Sequence, residues 1–282
     1  MQNIKLTVAY DGTDFRGWQT QPGQPTVQGL LAEVLRQLTQ ESVVVYGAGR
    51  TDAGVHAWGQ VANFSTRSAL TPEDFARGLN ALLPPSVRIR VAEEVSPDFH
   101  ARHQSQAKTY IYRIYRGRVV PPFHWRYVLH DHGPLDFAAM AEAARAFLGE
   151  HDFTSFAASS GSEEVDQDRV MTRAVYHSEL IACGSAVASA GLLPGDLPWP
   201  LPGPDEWVYV IRGRSFLRHM VRKIMGALLD VGRGRSQPSD IPRLLELRDR
   251  TQSGPTVSPQ GLCLLSIEYA DPANSLETAK RL

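Results

Sequence analysis

Apolar and polar residues alternate from Ile4 to Tyr10, and the run stops at Asp11-Gly12, which predicts a strand closed by a turn. Beyond Thr26 the apolar positions Val27, Leu30, Leu31, Val34, Leu35 and Leu38 recur at helical spacing, so an amphipathic helix with one buried stripe is expected. Val43-Val44-Val45-Tyr46 reads as a buried strand, and Gly59 to Thr66 as an alternating one. Thr71-Pro72-Glu73-Asp74 then supplies a hydroxyl cap, a proline at the first helical position and acids in the first turn. That helix runs to about Leu83 and stops at Pro84-Pro85, and Val87 to Val91 is a further strand. Strand, helix, strand, strand, helix, strand suits a split βαβ sandwich, with helices on one face of a largely antiparallel sheet.

Lys108 to Arg116 alternates strictly. Tyr110, Tyr112 and Ile114 point one way; Ile111, Arg113 and Tyr115 point the other, as in a central strand. A helix from about Asp136 to Leu148 follows, then a strand from Val170 to Ile181. Gly184 to Asp205, rich in proline and glycine, reads as a long irregular excursion. A strand from Trp207 to Gly213 leads into a helix from Phe216 to Val231, which would put Arg218 and Arg222 one turn apart on a shared face. A short helix after Ser239-Asp240 and a strand from Leu262 to Tyr269 complete the pattern. The chain is expected to be α+β, in two halves of residues 1–104 and 105–282 with the active cleft between them.

Composition excludes several classes. The 282 residues are 43% hydrophobic and 21% charged, as in soluble globular proteins. No apolar run approaches a membrane span, and the N-terminus lacks an export pattern, so a reducing cytoplasm is the expected compartment. Cys183 and Cys263 are too far apart in sequence to suggest a disulfide framework or a zinc knuckle. The net charge of −1 is silent about partners, but its distribution is not. Phe99 to His130 holds no acid while Arg102, Lys108, Arg113, Arg116, Arg118 and Arg126 accumulate. Trp207 to Leu229 repeats this with Arg212, Arg214, Arg218, Arg222 and Lys223. Both stretches contain aromatic residues, a mixture suited to phosphates and bases, although two solvated faces would give the same pattern.

The chemistry concentrates in Gly47-Ala48-Gly49-Arg50-Thr51-Asp52-Ala53-Gly54-Val55-His56-Ala57. Its glycines allow sharp turns, and it carries a carboxylate, Asp52, beside a guanidinium, Arg50. A fixed cation favours the ionised acid. A tight connection with a surface ion pair would look the same in isolation. Asp52 occupies the third glycine position of a dinucleotide fingerprint, where it would repel a pyrophosphate. No phosphate-binding GxxxxGK[ST] loop, GxSxG elbow or metal-spaced His/Cys set is present.

Tyr10-Asp11-Gly12, Phe15-x-Gly17-Trp18-Gln19, Thr26-Val27-Gln28 and Gly49-Arg50-Thr51-Asp52-Ala53-Gly54-Val55-His56 together resemble the TruA family of tRNA pseudouridine synthases. The likeness continues through Asp98-Phe99-His100-Ala101-Arg102, Lys108-x-Tyr110-x-Tyr112, His151 to Phe156, Phe216-Leu217-x-His219-Met220-Val221-Arg222 and Gly261-Leu262. These matches lie in order along nearly the whole chain. The resemblance implies isomerisation of uridine to pseudouridine at positions 38, 39 and 40 of the tRNA anticodon stem-loop, with no metal or organic cofactor. It makes Asp52 the nucleophile, Arg50 its ion-pair partner, and Tyr110 the ring stacked on uracil that takes the C5 proton. Arg222 falls on the active-site arginine and Leu262 on a base-pocket residue. The implied fold is two α+β halves sharing a continuous, largely antiparallel sheet, working as a homodimer with an RNA-binding basic surface.

Several points stay open at this level. The carboxylate has three available first steps: attack at C6, attack at C1′, or removal of the C2′ proton. A phenol of ordinary pKa about 10 is a poor base at neutral pH, so Tyr110 needs a cation, with Lys108, Arg222 and Arg113 as candidates in that order. Lys108, Arg218 and His219 are further candidate substrate contacts, and Arg218 and Lys223 suit phosphates rather than bases. Trp18 and Phe15 read as loop packing more than as wedges for a flipped nucleotide. A binding protein without chemistry would need no such carboxylate, and a nucleosidase usually brings two.

Overall fold

β1 (Gln2–Tyr10) pairs antiparallel with β3 (His56–Thr66) on one side and β4 (Val87–Val95) on the other. The computed structural model describes residues 1–158, 170–182, 203 and 205–270. Cys183, the acids from Glu163 to Asp168, and the Gly184–Asp205 excursion apart from Gly203 and Asp205 lie outside the described residues. The architecture is α+β with largely antiparallel sheet pairing, as the alternating segments predict. Met1–Lys108 and the described residues from Leu264 on form one compact unit, and Thr109–Cys263 another. The last strand therefore groups with the first hundred residues, which its position in the chain does not show.

In the first unit the strand order is β4-β1-β3-β10, with β10 spanning Leu262–Tyr269 and the two-residue β2 (Tyr46–Gly47) paired to β3. Helix α1 (Val27–Thr39) starts where Thr26 Oγ1 accepts from Gly29 N, and it buries Val27, Leu31, Val34 and Leu35. Helix α2 (Pro72–Leu82) opens on a full capping box between Thr71 and Asp74, satisfying amide donors the helix itself cannot. Phe75 of α2 meets Phe64 of β3 edge-on at 5.4 Å, both rings fully buried, in a core shared with Ile4, Leu6 and Val8.

The Val43–Tyr46 run is not the buried strand that its apolarity predicts. Only Val45 is buried; Val44 is 62% and Tyr46 45% exposed, and pairing is confined to Tyr46 and Gly47. Gln28 of α1 accounts for this, because its side-chain amide takes the Val45 carbonyl at 2.8 Å where a sheet neighbour would otherwise donate.

In the second unit the order is β5-β9-β8-β7, with β5 (Ser105–Tyr115), β9 (Glu206–Gly213), β8 (Thr172–Ala182) and β7 (Gly149–Asp152). β5 is buried on both faces from Ala107 to Ile114, as expected of a central strand. β6 (Leu129–His130) adds a short parallel pairing to its end. Helix α3 (Phe137–Arg145) is capped by Asp136 and ends earlier than its alanine-rich sequence predicts. Helix α4 spans Met220–Gly232 and α5 Asp240–Leu247. The expected start of α4 at Phe216 is wrong. His219 sits at φ +63°, outside helical space, so Phe216 to Arg218 precede the helix and Arg218 shares no helical face with Arg222.

Candidate active site

The loop between β2 and β3 is held from several directions at once. Ala48 N donates to Val61 O at 2.8 Å, Gln60 donates to Gly49 O at 2.9 Å, and Lys108 Nζ donates to Ala48 O at 2.8 Å. Further along, Trp18 N donates to Thr51 O at 3.1 Å, the Thr51 hydroxyl shares a 2.8 Å bond with Tyr10 OH, and Gly54 N donates to Phe15 O at 3.2 Å. The Phe15–Gln19 segment is thus a brace for the loop. Trp18 is buried against Tyr10, and a Cβ on Gly47 would stand 2.3 Å from the indole nitrogen. Packing, rather than a wedge role, is what Trp18 does. Gly17, at φ +91°, lets the chain pass where a side chain would meet the Thr51 carbonyl oxygen at 2.5 Å.

On this scaffold Asp52 is half-buried and its carbonyl closes a turn with Val55 N at 3.1 Å. Arg50 is exposed, and its Nε donates to Gln19 Oε1 at 3.0 Å. The sequence assigned neither Tyr10 nor Gln60 to the loop. Gln60 sits at an alternating polar position of a strand that would ordinarily face water, yet it is fully buried. The register of β1 on β3 shifts between Val8 and Tyr10, just where both residues turn to the loop.

Burial, with a smaller contribution from Arg102, lowers the Lys108 ammonium to about 8. Its hydrogen bond points at the loop backbone, so the ammonium supports the loop there. Nearby, Tyr46, His100 and His103 form a ring series at 4.9 and 4.1 Å, with the half-buried His100 between two exposed rings.

In the second unit Tyr110 is buried and packs edge-on against Phe216 at 5.2 Å. Arg222, half-buried on α4, donates through Nε to Val257 O at 2.8 Å. Burial pushes the Tyr112 hydroxyl up, and the Arg222 charge opposes that rise. Arg222 therefore lies within electrostatic reach of Tyr112, two residues along the strand from Tyr110. Leu262 is buried, preceded by Gly261, where a Cβ would stand 2.8 Å from Arg113 O. Arg218 is exposed, and its carbonyl accepts from Ala158 N at 3.0 Å.

Two cations have other work. Arg113 is buried with Glu206, donating to Oε2 at 3.0 and 2.7 Å, so it is not the cation for Tyr110. Lys223 Nζ reaches Arg250 O at 2.9 Å and Ser253 Oγ at 3.1 Å, which ties it to a neighbouring loop rather than to phosphate. Among the described residues no group of three or more His, Cys, Asp or Glu could hold a metal ion, and no helix is long and apolar enough to cross a membrane.

The family model described as tRNA pseudouridine synthase matches residues 6–104 and 143–270, which include the Asp52 loop, Arg222 and Leu262. The chain belongs to this family. Its enzyme class is accordingly that of an isomerase. Individual pseudouridine synthases agree along their whole length. The tRNA pseudouridine synthase A of Solibacter usitatus is 44% identical over 269 residues, covering 95% of this chain and all of the relative. Those of Moorella thermoacetica and Caldicellulosiruptor saccharolyticus are 41% and 40% identical, again over 95% of this chain and all of theirs.

Proposed function

We propose that this pseudouridine synthase acts on uridines 38, 39 and 40 of the tRNA anticodon stem-loop, with Asp52 as the attacking group and no cofactor. The isomerisation breaks the bond between N1 and C1′, rotates the base and joins C5 to C1′; the C5 proton is released to solvent and N1 takes one up, so atoms balance without an external reagent. The observation that carries this reading is the bracing of the Asp52 loop at Ala48, Gly49, Thr51 and Gly54, which fixes the carboxylate's backbone before substrate arrives. Arg50 supplies the positive charge beside it. Tyr110 stacks on the uracil and takes the C5 proton, with Arg222 as the cation that assists it. Leu262 closes the base pocket, and Arg218 and His219 contact the RNA around it.

The protein works in the cytoplasm as a homodimer whose basic stretches supply the phosphate contacts that the net charge alone does not. The test uses tRNA tritiated at uridine C5. The wild-type chain releases tritium and forms pseudouridine, while Asp52→Ala binds the tRNA without release. Free uracil would indicate a hydrolase, and binding without release by the wild type would indicate a module that has lost the chemistry.

A further inference from the structure

The segment between β5 and β6 projects three exposed large apolar side chains. Val119 is 75%, Phe123 86% and Trp125 48% exposed. Arg118 is exposed beside them, and Arg126 lies over the Trp125 ring at 5.3 Å. The loop is nonetheless firmly built. His124 N donates to Pro121 O at 2.9 Å and Tyr127 N to His124 O at 2.8 Å. At its foot, His130 Nε2 bonds Gly117 O at 2.9 Å, and the Tyr115 hydroxyl packs where a Gly117 Cβ would be.

The loop is also fastened to the segment that ends at Leu262. Gln260 Nε2 donates to Trp125 O at 3.3 Å and to Val128 O at 3.0 Å. Two residues earlier, Ser258 O accepts from Tyr112 OH at 2.7 Å, and Val257 O accepts from Arg222. One short stretch of chain thus holds Arg222, the tyrosine strand, Leu262 and the exposed aromatic loop together.

We infer that residues 117–128 are a second tRNA-contact surface, in which Arg118 and Arg126 meet backbone phosphates while Phe123 and Trp125 stack on unpaired nucleotides. The inference rests on the proposed tRNA activity and adds a surface outside the base pocket. Charge decides the occupant. The chain has no acid from Phe99 to His130. Near the loop's foot Glu206 is held by Arg113 and Asp131 by Arg116 and Arg233. A second copy whose twofold axis passed through this patch would set cation against cation. A polyanion with exposed bases matches both the arginines and the rings.

The experiment measures tRNA affinity across a salt titration, turnover at saturating tRNA, and sedimentation, for the full chain. Arg118→Gln/Arg126→Gln is expected to bind about tenfold more weakly and to lower the slope of log affinity against log salt by about 2. Phe123→Ser/Trp125→Ser is expected to bind about tenfold more weakly with the slope unchanged. Turnover at saturating tRNA falls less than affinity in both. Wild-type affinity and slope in either variant would overturn the assignment. So would loss of self-association in the aromatic variant with tRNA affinity intact, which would make the loop a subunit interface. If the wild type releases no tritium, the activity reading fails; if it does and the variants bind normally, only the loop assignment fails.

Discussion

Lys108 Nζ donates a 2.8 Å hydrogen bond to the carbonyl of Ala48, and the same ammonium lies 3.1 Å from where a Cβ on Gly49 would stand. A buried charge therefore supports the loop whose next residues are Arg50, Thr51 and Asp52. Burial penalises that charge, as the lowering of the group to about 8 shows. Lys108→Met fills similar volume without the charge. It is expected to match or exceed wild-type stability in urea while losing about tenfold or more in tritium release, a cost of about 1.4 kcal/mol or more in the barrier. Lys108→Arg should recover part of the activity. Equal losses of stability and activity in Lys108→Met would make the lysine a plain structural member.

The same group gives a pH signature. Its folded value, about 8, lies below its ordinary value of 10.5, so between them the unfolded chain holds the proton and the folded chain does not. Stability must then rise with pH across that window from this group. Comparing wild type with Lys108→Met by denaturant unfolding from pH 7 upward isolates the contribution. The wild type should gain on the variant between about 8 and 10.5, and a constant difference would contradict the buried ammonium.

Gly17→Ala and Gly49→Ala should differ sharply. At Gly17, with φ +91°, the new methyl would meet the backbone oxygen of Thr51 at 2.5 Å, and the loop must move. At Gly49 it would meet the flexible end of Lys108 at 3.1 Å. Gly17→Ala is expected to cost about 1–3 kcal/mol and most of the activity, with the Gly49 variant milder on both counts. Thermal melts and tritium release check the order.

Breaking the Arg113–Glu206 pair from one side leaves a buried charge alone. Arg113→Met or Glu206→Gln should each destabilise strongly, by about 3–5 kcal/mol for the arginine change, whereas Arg113→Met/Glu206→Leu should recover most of the loss. The recovered double variant should retain turnover, because Arg113 is occupied with Glu206. Loss of activity in a well-folded double variant would return Arg113 to the chemistry.

Tyr110→Phe should keep tRNA affinity, since the ring and its edge contact with Phe216 remain, but lose most turnover with the hydroxyl. Arg222→Ala should lower turnover more than affinity. Binding measured alongside tritium release separates the two effects.

Local features were legible in the chain because they depend on neighbours in sequence. The Thr71–Asp74 box located the start of α2, helical spacing located α1, and alternation located β1 and β5. The glycine-bounded Asp52 loop and its companion motifs were sufficient to identify the family. Where local cues misled, a single longer-range or backbone fact intervened: Gln28 capturing Val45 O, or His219 leaving helical space.

Apolar period, caps and motif order are written within a few residues of one another, and those the amino-acid chain settled by itself. The employment of each cation was decided only by tertiary structure. Lys108 reaches a carbonyl 60 positions away, Arg113 a carboxylate 93 away, and Lys223 a serine 30 away. A charge takes the partner that burial brings within about 3 Å, and no linear pattern records that distance.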